Sequence, residues 1–235
     1  MTAKRATRKA VPRKSASIKV ASKKAKASKP ILAPKSFRPI GRKAGQTYDA
    51  LVAAACDVIV ATGNFSGESV AEKAGMATAT FYAYFSAKEH ALCAALESVV
   101  KDFNARVEPA MSIERLLDDG LRSILHEAVT VMLANFRENA PVYRLGLASL
   151  PDSSRMRQIW RYHEHYAEDY IRRFVRLGMA AGRIRKGDPE STATLLLVIF
   201  QGLNNHTLLP LDPDGPVVTQ FCDLVETFLA PPAQR

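Results

Sequence analysis

Apolar side chains recur along the chain at the spacing of one helix face, and turn-forming residues separate the runs. Between residues 48 and 62 they fall at i, i+3, i+4 and i+7, which predicts an amphipathic helix that ends at Gly63. Ser66 is the candidate N-cap of a short second helix over residues 68–74, and a third short helix is predicted over 78–84. Three helices within about 40 residues, the last two short and joined at a glycine, predict a helix-turn-helix unit.

The rest of the chain shows the same helical period, and no segment alternates as a strand does. Ser86 is predicted to cap the next helix and Pro109 to end it, while Pro141 is expected to separate two further helices. Asp188 and Pro189 form a cap followed by a first-turn proline. These later helices are predicted over residues 86–109, 113–139, 141–150, 151–182, 189–207 and 217–228. The sequence therefore predicts an all-α protein of about nine helices.

The positive charge of the chain is concentrated at one end. Residues 1–45 contain 15 of the 33 lysines and arginines and no acidic residue, whereas the remainder has 18 basic and 23 acidic side chains. The first 39 residues are rich in Lys, Ala, Ser and Pro without a hydrophobic period, so we expect a disordered basic arm. Such a polycation binds DNA by displacing counterions. Arg38, Arg42 and Lys43, just before the predicted first helix, are candidates for the minor groove.

The predicted third helix has a buried side and a free side. Phe81 and Phe85, four residues apart, are expected to pack inward against Val70 and the first helix. The free side is small and bears hydroxyls but no acid, so it can enter the major groove and reach phosphates or base edges. Lys88, at the start of the next helix, can pair with a phosphate. The free side comprises Thr78, Ala79, Tyr82 and Ala83, with Thr80 and Tyr84 on its flanks.

The run V-A-E-K-A-G-M-A-T-A-T-F-Y-A-Y-F-S-A-K-E-H-A-L over residues 70–92 closely resembles the DNA-binding domain of TetR-family transcriptional regulators, above all in A-G, T-F-Y-A-Y-F and K-E. The chain departs from the family pattern at Gly67, where an apolar residue is usual, and at Ala77 and Ala79, which replace Ser and Gly. The loop over residues 63–69 is also about two residues shorter. The resemblance implies phosphate contacts by Thr80, Tyr82, Tyr84 and Lys88, and base contacts by Thr78, Ala79 and Ala83.

The last two predicted helices have too much apolar surface for one core. The helix through residues 195–200 is apolar on almost every side, so it should face a core on one side and another surface on the opposite one. The family resemblance implies that residues 189–229 form a four-helix interface between two copies of the chain. A dimer would also space two recognition helices about one DNA turn apart. The expected interface residues are Leu196, Phe200, Leu203, Phe221, Leu224, Val225 and Phe228.

The middle helices are expected to enclose a pocket for a small apolar ligand, because such pockets are mostly apolar with few polar groups. We interpret His163, which lies on an apolar stripe, as a hydrogen-bonded core histidine, with a ligand-anchoring role as the alternative. The aromatic stripe itself has two readings, core packing or pocket wall. The candidate lining residues are Met132, Phe136, Tyr143, Trp160, His163, Tyr166, Tyr170 and Phe174.

Other function classes find little support in the sequence. The three cysteines are far apart and lack metal-ligand spacing, which predicts free thiols in a reducing cytoplasm. His163 and His165 point to different sides of a helix, so no shared metal is expected. There is no nucleophile triad and no Gly-rich phosphate loop, so neither an enzyme nor a cofactor is predicted. No secretory signal is recognised, and no apolar run approaches the ~20 residues needed to cross a membrane.

The sequence thus predicts three parts: a disordered Lys/Arg-rich arm (1–45), a helix-turn-helix DNA-binding domain (46–92), and a helical ligand-binding and dimerisation domain (93–235). The expected function is that of a cytoplasmic, nucleoid-associated transcriptional regulator. It would bind a palindromic operator as a homodimer, and a small apolar effector would release it as a repressor. The alternative is a nucleoid-associated protein that coats DNA with its basic tail, and an α-helical enzyme is a third class.

Overall fold

The computed structural model describes residues 38–232. The predicted disorder of the arm up to residue 37 lies outside these residues. The described part contains nine helices and no strand, which confirms the all-α prediction. The helices are α1 (Arg42–Thr62), α2 (Gly67–Lys73), α3 (Thr78–Tyr84), α4 (Lys88–Ala110), α5 (Ile113–Asp118), α6 (Gly120–Ala148), α7 (Ser154–Ala180), α8 (Pro189–Gln201) and α9 (Pro216–Leu229).

The first three helices pack around Phe81 of α3 and Phe85, which directly follows α3. Phe81 and Phe85 are fully buried, with ring centroids 5.3 Å apart, and Phe85 lies 5.3 Å from the ring of Tyr48 on α1. Val70 of α2 is buried in the same cluster. The predicted inward side of the third helix is therefore confirmed, and α3 is held by one side only.

Local sequence signals set the ends of the first helices. Ser66 accepts a hydrogen bond from the Ser69 backbone amide, and the Ser69 hydroxyl accepts one from the Ser66 amide, so the predicted N-cap is present as a reciprocal capping box. Gly63 ends α1 at φ 74°, a left-handed conformation that glycine adopts without strain. At the other end, α1 begins at Arg42, earlier than the apolar pattern indicates. Arg42 and Lys43 therefore lie in its first turn and not before it.

Helix boundaries in the middle of the chain differ from the sequence prediction. Pro141 does not separate two helices but lies inside α6, where the next turn buries Val142 and Tyr143. Burial of this turn against the core outweighs the ~3 kcal/mol by which proline disfavours a helix interior. The break falls instead at Gly120, whose φ of 81° ends the helical geometry between α5 and α6.

Two further predicted helix ends are also wrong. Ser86 does not cap α4, because Ala87 occupies the N-cap position and the Ser86 hydroxyl lies 3.0 Å from the His90 ring. The helix that begins after the Asp188 cap ends at Gln201 rather than near residue 207. Pro109 lies within the last turn of α4, close to the predicted end.

The carboxy-terminal helices form the larger part of the core. α4 packs along α6, α7 along α8, and α9 against α6, while α1 contacts both α4 and α6. The same buried cluster thus runs from the helix-turn-helix unit into the helices behind it. No single helix among residues 38–232 is both long and apolar enough to cross a membrane; only α1 and α2 taken together reach that threshold, and they are bent by 110°.

Replacing the Ser66 cap is expected to destabilise the fold locally. Ser66→Ala removes the acceptor for the Ser69 amide and should lower the free energy of unfolding by about 1 kcal/mol. Urea denaturation at fixed protein concentration measures this change. The matched control is Ser86→Ala, which removes a hydroxyl from a residue that caps no helix and should change stability by less than half as much. Equal effects of the two substitutions would contradict the assigned caps.

Candidate nucleic-acid interface and ligand cavity

The side of α3 that faces away from Phe81 and Phe85 is open to solvent. Tyr82 is 51% exposed, and Ala79 and Ala83 are exposed beside it. The flanking residues differ in environment: Thr78 and Thr80 are half-buried, and Tyr84 is half-buried against the hydrophobic core. The exposed part of α3 is therefore a narrow strip of methyl groups and one phenol, bordered by two threonine hydroxyls.

Gly67 allows α2 to lie directly against this strip. A Cβ atom at Gly67 would lie 2.8 Å from the Phe81 ring and 2.9 Å from the Tyr82 hydroxyl. The departure from the family pattern at this position thus has a steric cause, because any larger residue would displace both aromatic rings. The Tyr82 hydroxyl is 3.4 Å from Oε1 of Glu68, a weak contact that holds the phenol over the start of α2.

The predicted cationic side chains differ in their partners. Lys88, the first residue of α4, donates a hydrogen bond of 2.7 Å to the Asn64 side chain and lies 4.7 Å from the centre of the Phe65 ring. Arg42 and Lys43 are exposed in the first turn of α1. Arg38, which the sequence placed with them, forms an ion pair of 2.7 Å with Asp49 on α1.

A cavity of about 420 Å³ lies among α4, α6, α7 and α8. Seven of the eight predicted lining residues meet there, whereas Phe174 does not: its side chain is buried in the core away from the cavity. The residues of α4 were not predicted, although Leu96, Val100 and Phe103 follow the helical period that predicted the helix itself. The predicted residues at the cavity are Met132, Phe136, Tyr143, Trp160, His163, Tyr166 and Tyr170.

The polar groups of the cavity wall are mostly paired with one another. The Tyr143 hydroxyl donates to Oδ1 of the fully buried Asn135 at 3.0 Å. Tyr170 donates to the backbone oxygen of Glu108 at 2.7 Å, and burial together with the Glu108 charge raises the pKa of Tyr170 to about 12. Both tyrosines are therefore neutral hydrogen-bond donors at physiological pH.

His163 is an exception to this pairing. The sequence interpretation of a hydrogen-bonded core histidine is wrong, because neither ring nitrogen has a hydrogen-bond partner among residues 38–232 although both are buried. Burial, with a smaller contribution from Lys101, lowers the pKa of His163 to about 4. The ring is therefore neutral at physiological pH and lies in the cavity wall with its polar atoms unsatisfied.

The predicted dimer residues divide between the inside and the outside of the protomer. Leu196, Phe200, Leu203 and Val225 are buried in the protomer's own core, and Phe200 also lines the cavity, so none of them is available to a partner surface. Other apolar side chains of α8 and α9, on the faces of these helices that point away from the core, are exposed instead. Leu224 is 64% exposed, with Phe221 and Phe228 half-buried on the same helix, and Leu195, Val198 and Val217 complete the outward set.

The chain has the fold of TetR-family transcriptional regulators. It aligns with a candidate regulator of this family from Mesorhizobium loti (TM-score 0.64, 18% identity, 81% of this chain and 100% of that one). It also aligns with a TetR regulator from Haloarcula marismortui (0.62, 15%, 78% and 96%). A third similar structure is SmeT in complex with triclosan (0.59, 19%, 79% and 92%). No protein-family profile matches the sequence, and no curated protein matches it at significant similarity.

The environment of His163 predicts an acid-dependent loss of stability. Its pKa is about 4 in the folded chain and about 6.5 when unfolded, so between these values the unfolded chain binds the extra proton. The stabilising contribution is complete above about pH 6.5 and is lost as the pH falls toward 4, by at most about 1.4 kcal/mol per pH unit. In His163→Phe the free energy of unfolding should fall less steeply over this range.

The control is His206→Phe, at an exposed position in the segment between α8 and α9. Urea denaturation at several pH values between 7 and 4 compares the slopes of the three proteins. A wild-type slope equal to that of His163→Phe would show that this ring does not take up a proton on unfolding.

Proposed function

We propose that this protein is a sequence-specific, DNA-binding transcriptional regulator that acts as a homodimer, a repressor that a small, largely apolar ligand releases from its operator. The observation that carries the proposal is the form of α3: its two phenylalanines are buried, and its opposite side is an exposed strip of small residues and a phenol. A short helix with a narrow, uncharged outer side fits the major groove, where hydroxyls and methyl groups meet base edges and phosphates.

Tyr82 and Lys88 are the proposed phosphate ligands with the greatest freedom to move. Tyr82 is 51% exposed, its ring meets Phe81 edge-on, and its hydroxyl makes a weak 3.4 Å contact to Glu68, so the hydroxyl can exchange this carboxylate for a solvent-side partner. Lys88 is exposed, and a phosphate could replace its hydrogen bond to Asn64 at little cost. We assign Thr80 and Tyr84 to phosphate contacts as well, and Thr78, Ala79 and Ala83 to the bases.

Arg42 and Lys43 are proposed to extend the DNA contact from the first turn of α1. Both are exposed at the point where the basic arm joins the folded chain. The arm adds positive charge that would strengthen binding without reading sequence. Arg38 is a weaker candidate, because its guanidinium is already paired with Asp49.

The dimer is proposed to form through the outward faces of α8 and α9. Large apolar side chains exposed on the two helices favour contact with another protein surface, since a monomer gains nothing by leaving them in water. A second copy of the same chain is the partner that would place two α3 helices on one face of a duplex. Phe221, Leu224 and Phe228 from the sequence prediction stay in this proposed interface, joined by Leu195, Val198 and Val217.

The cavity is the proposed effector site. Its volume is within the range of small-molecule sites, its wall is mainly aromatic and aliphatic, and a similar structure, SmeT, was solved with triclosan. A ligand there would regulate DNA binding by favouring one spacing of the two helix-turn-helix units over another. The cavity helices α4 and α6 both contact α1, which supports a mechanical connection between the two sites.

The DNA interface is tested by removing side chains that the fold does not need. Tyr82→Ala and Lys88→Ala should each weaken binding to a duplex selected from a random-sequence library by about tenfold, since each removes a phosphate contact. Gel-shift titration measures the affinities, and circular dichroism checks that the helices are retained. Footprinting of the selected duplex should show a short protected palindrome.

The matched control for the charge is Lys186→Ala, which removes an exposed lysine from the segment between α7 and α8. It should leave the affinity unchanged within about twofold. Normal affinity of both the Tyr82 and the Lys88 variants would contradict the proposed interface. Uniform protection of the duplex would instead favour a DNA-coating protein.

The dimer is tested by placing a charge in the outward apolar face. Leu224→Glu should convert the protein from a dimer to a 25.8 kDa monomer, because burying an unpaired carboxylate between two copies is strongly unfavourable. Sedimentation velocity measures the mass. Thr227→Glu, at an exposed polar position of the same helix, is the control and should remain dimeric. A monomeric wild-type protein, or a dimer unaffected by Leu224→Glu, would refute this interface.

A further inference from the structure

The wall of the cavity contains two glutamates. Among its lining residues within the described chain there is no lysine or arginine, whereas Glu108 of α4 and Glu164 of α7 are both present. Each glutamate is half-buried. The cavity therefore combines a mainly apolar lining with carboxylates on two of the four helices that form it.

The two carboxylates are only partly neutralised by the protein. Oε1 of Glu108 accepts a hydrogen bond from the Tyr166 hydroxyl at 2.6 Å, and Oε1 of Glu164 accepts one from Trp160 at 2.9 Å. Gln201 donates a second, longer bond of 3.3 Å to the same Glu164 oxygen. All these donors are uncharged. Within residues 38–232 neither Oε2 atom has a hydrogen-bond partner, and neither glutamate forms an ion pair.

Three other glutamates that bridge helices are instead paired with arginine. Glu138 is paired with Arg106 at 3.0 Å, and Glu190 with Arg172 at 2.5 Å. Glu97, whose side chain is 15% exposed, has Arg155 at 4.0 Å. Unlike these three, the cavity glutamates have negative charge with no protein counter-ion among residues 38–232.

The rest of the cavity wall favours a positively charged ligand. Six aromatic side chains besides Tyr166 line the cavity, and the face of an aromatic ring attracts a cation within about 6 Å of its centre. Phe103 and Phe136 stack at 5.4 Å and Phe136 meets Tyr143 edge-on at 5.4 Å, so the rings form a continuous surface. An anionic ligand would face both the ring quadrupoles and the carboxylates.

The basic groups near the cavity do not cancel the negative charge of its two glutamates. Lys101 on α4 and Arg173 on α7 act on His163 and Tyr170 from a distance, but both are exposed and neither lines the cavity. Their charges are screened by water, whereas the glutamates face a largely apolar interior. His163 itself is neutral and adds no positive charge.

We infer that the effector is a lipophilic cation: an aromatic or bulky apolar molecule carrying one delocalised or quaternary positive charge that lies between Glu108 and Glu164. This inference rests on the proposed function, since it specifies the ligand of the proposed effector site. It restricts the class of effector, because phenols without a charge would gain the apolar contacts only, and carboxylates would be repelled.

The test uses two probes of nearly the same shape and opposite charge, tetraphenylphosphonium and tetraphenylborate. Calorimetric titration of the full chain is expected to show cation binding that weakens about tenfold in the double variant Glu108→Gln/Glu164→Gln, in which the acceptor oxygens remain and the charges are removed. Binding of the borate should stay the same or become tighter in that variant. The control Glu138→Gln removes a carboxylate of α6 that does not line the cavity and should leave cation binding unchanged.

Ala167→Trp, which fills the cavity, tests where the probes bind and should abolish cation binding. Unchanged cation affinity in the double glutamine variant would overturn the charge inference. Binding of the uncharged probe 4-phenylphenol, blocked by Ala167→Trp, together with no binding of the cation, would also overturn it but would leave the effector site of the proposed function standing. DNA binding is measured separately on the same proteins, so failure of the regulator proposal is recognised by its own assay.

Discussion

The candidate DNA interface depends on the burial of two phenylalanine rings. A helix of seven residues is too short to be stable alone, so α3 exists because Phe81 and Phe85 hold it against α1 and α2. Each ring removed from water contributes on the order of 2–3 kcal/mol, more than the intrinsic helix propensity of the segment. Since the two residues are four apart, they fix one side of the helix inward, and the remaining side is turned outward by geometry alone.

The cavity among α4, α6, α7 and α8 is a second feature, and leaving it unfilled lowers the stability of the fold. An apolar space of about 420 Å³ forfeits packing contacts, and the buried nitrogens of His163 and Asn135 that find no partner among residues 38–232 add desolvation costs. A protein selected only for stability would fill such a space. Other polar groups around it are paired, such as the hydroxyls of Tyr143 and Tyr170, so the unfilled volume is not a sign of a loosely packed fold. These costs fit the proposed effector site, which a bound ligand would complete.

How far the sequence could predict these features depended on whether local or distant contacts decide them. The cap at Ser66 and the inward side of α3 follow from neighbours in the chain, and both were predicted. Helix α9 shows the limit: Val218, Cys222, Val225 and Leu229 are buried, but the adjacent set that includes Phe221 and Leu224 has the same period. Periodicity finds both stripes and cannot tell which faces the protomer core.

The same limit explains the other differences. The continuation of α6 through Pro141 and the burial of Leu196 depend on what packs against each helix, which no local pattern records. The cavity was predicted from aromatic residues on two helices, but its carboxylates Glu108 and Glu164 lie on α4 and α7 and line the same cavity only once the chain is folded. Charges of this kind look like ordinary solvated residues in a sequence, so the cationic ligand could be inferred only once the helices were in place.

The position of the carboxylates also suggests why a cation could act as a switch in the proposed regulator. Coulomb energy in an apolar wall changes steeply with distance, so a charge held between α4 and α7 binds much better at one separation of these helices than at another. A ligand shifts a conformational equilibrium only through such a difference in affinity, and a shift from 1:99 to 99:1 requires a ratio of about 10⁴. Because α4 is also packed against α1, the helix separation that the proposed cation favours would be transmitted to the helix that supports α3.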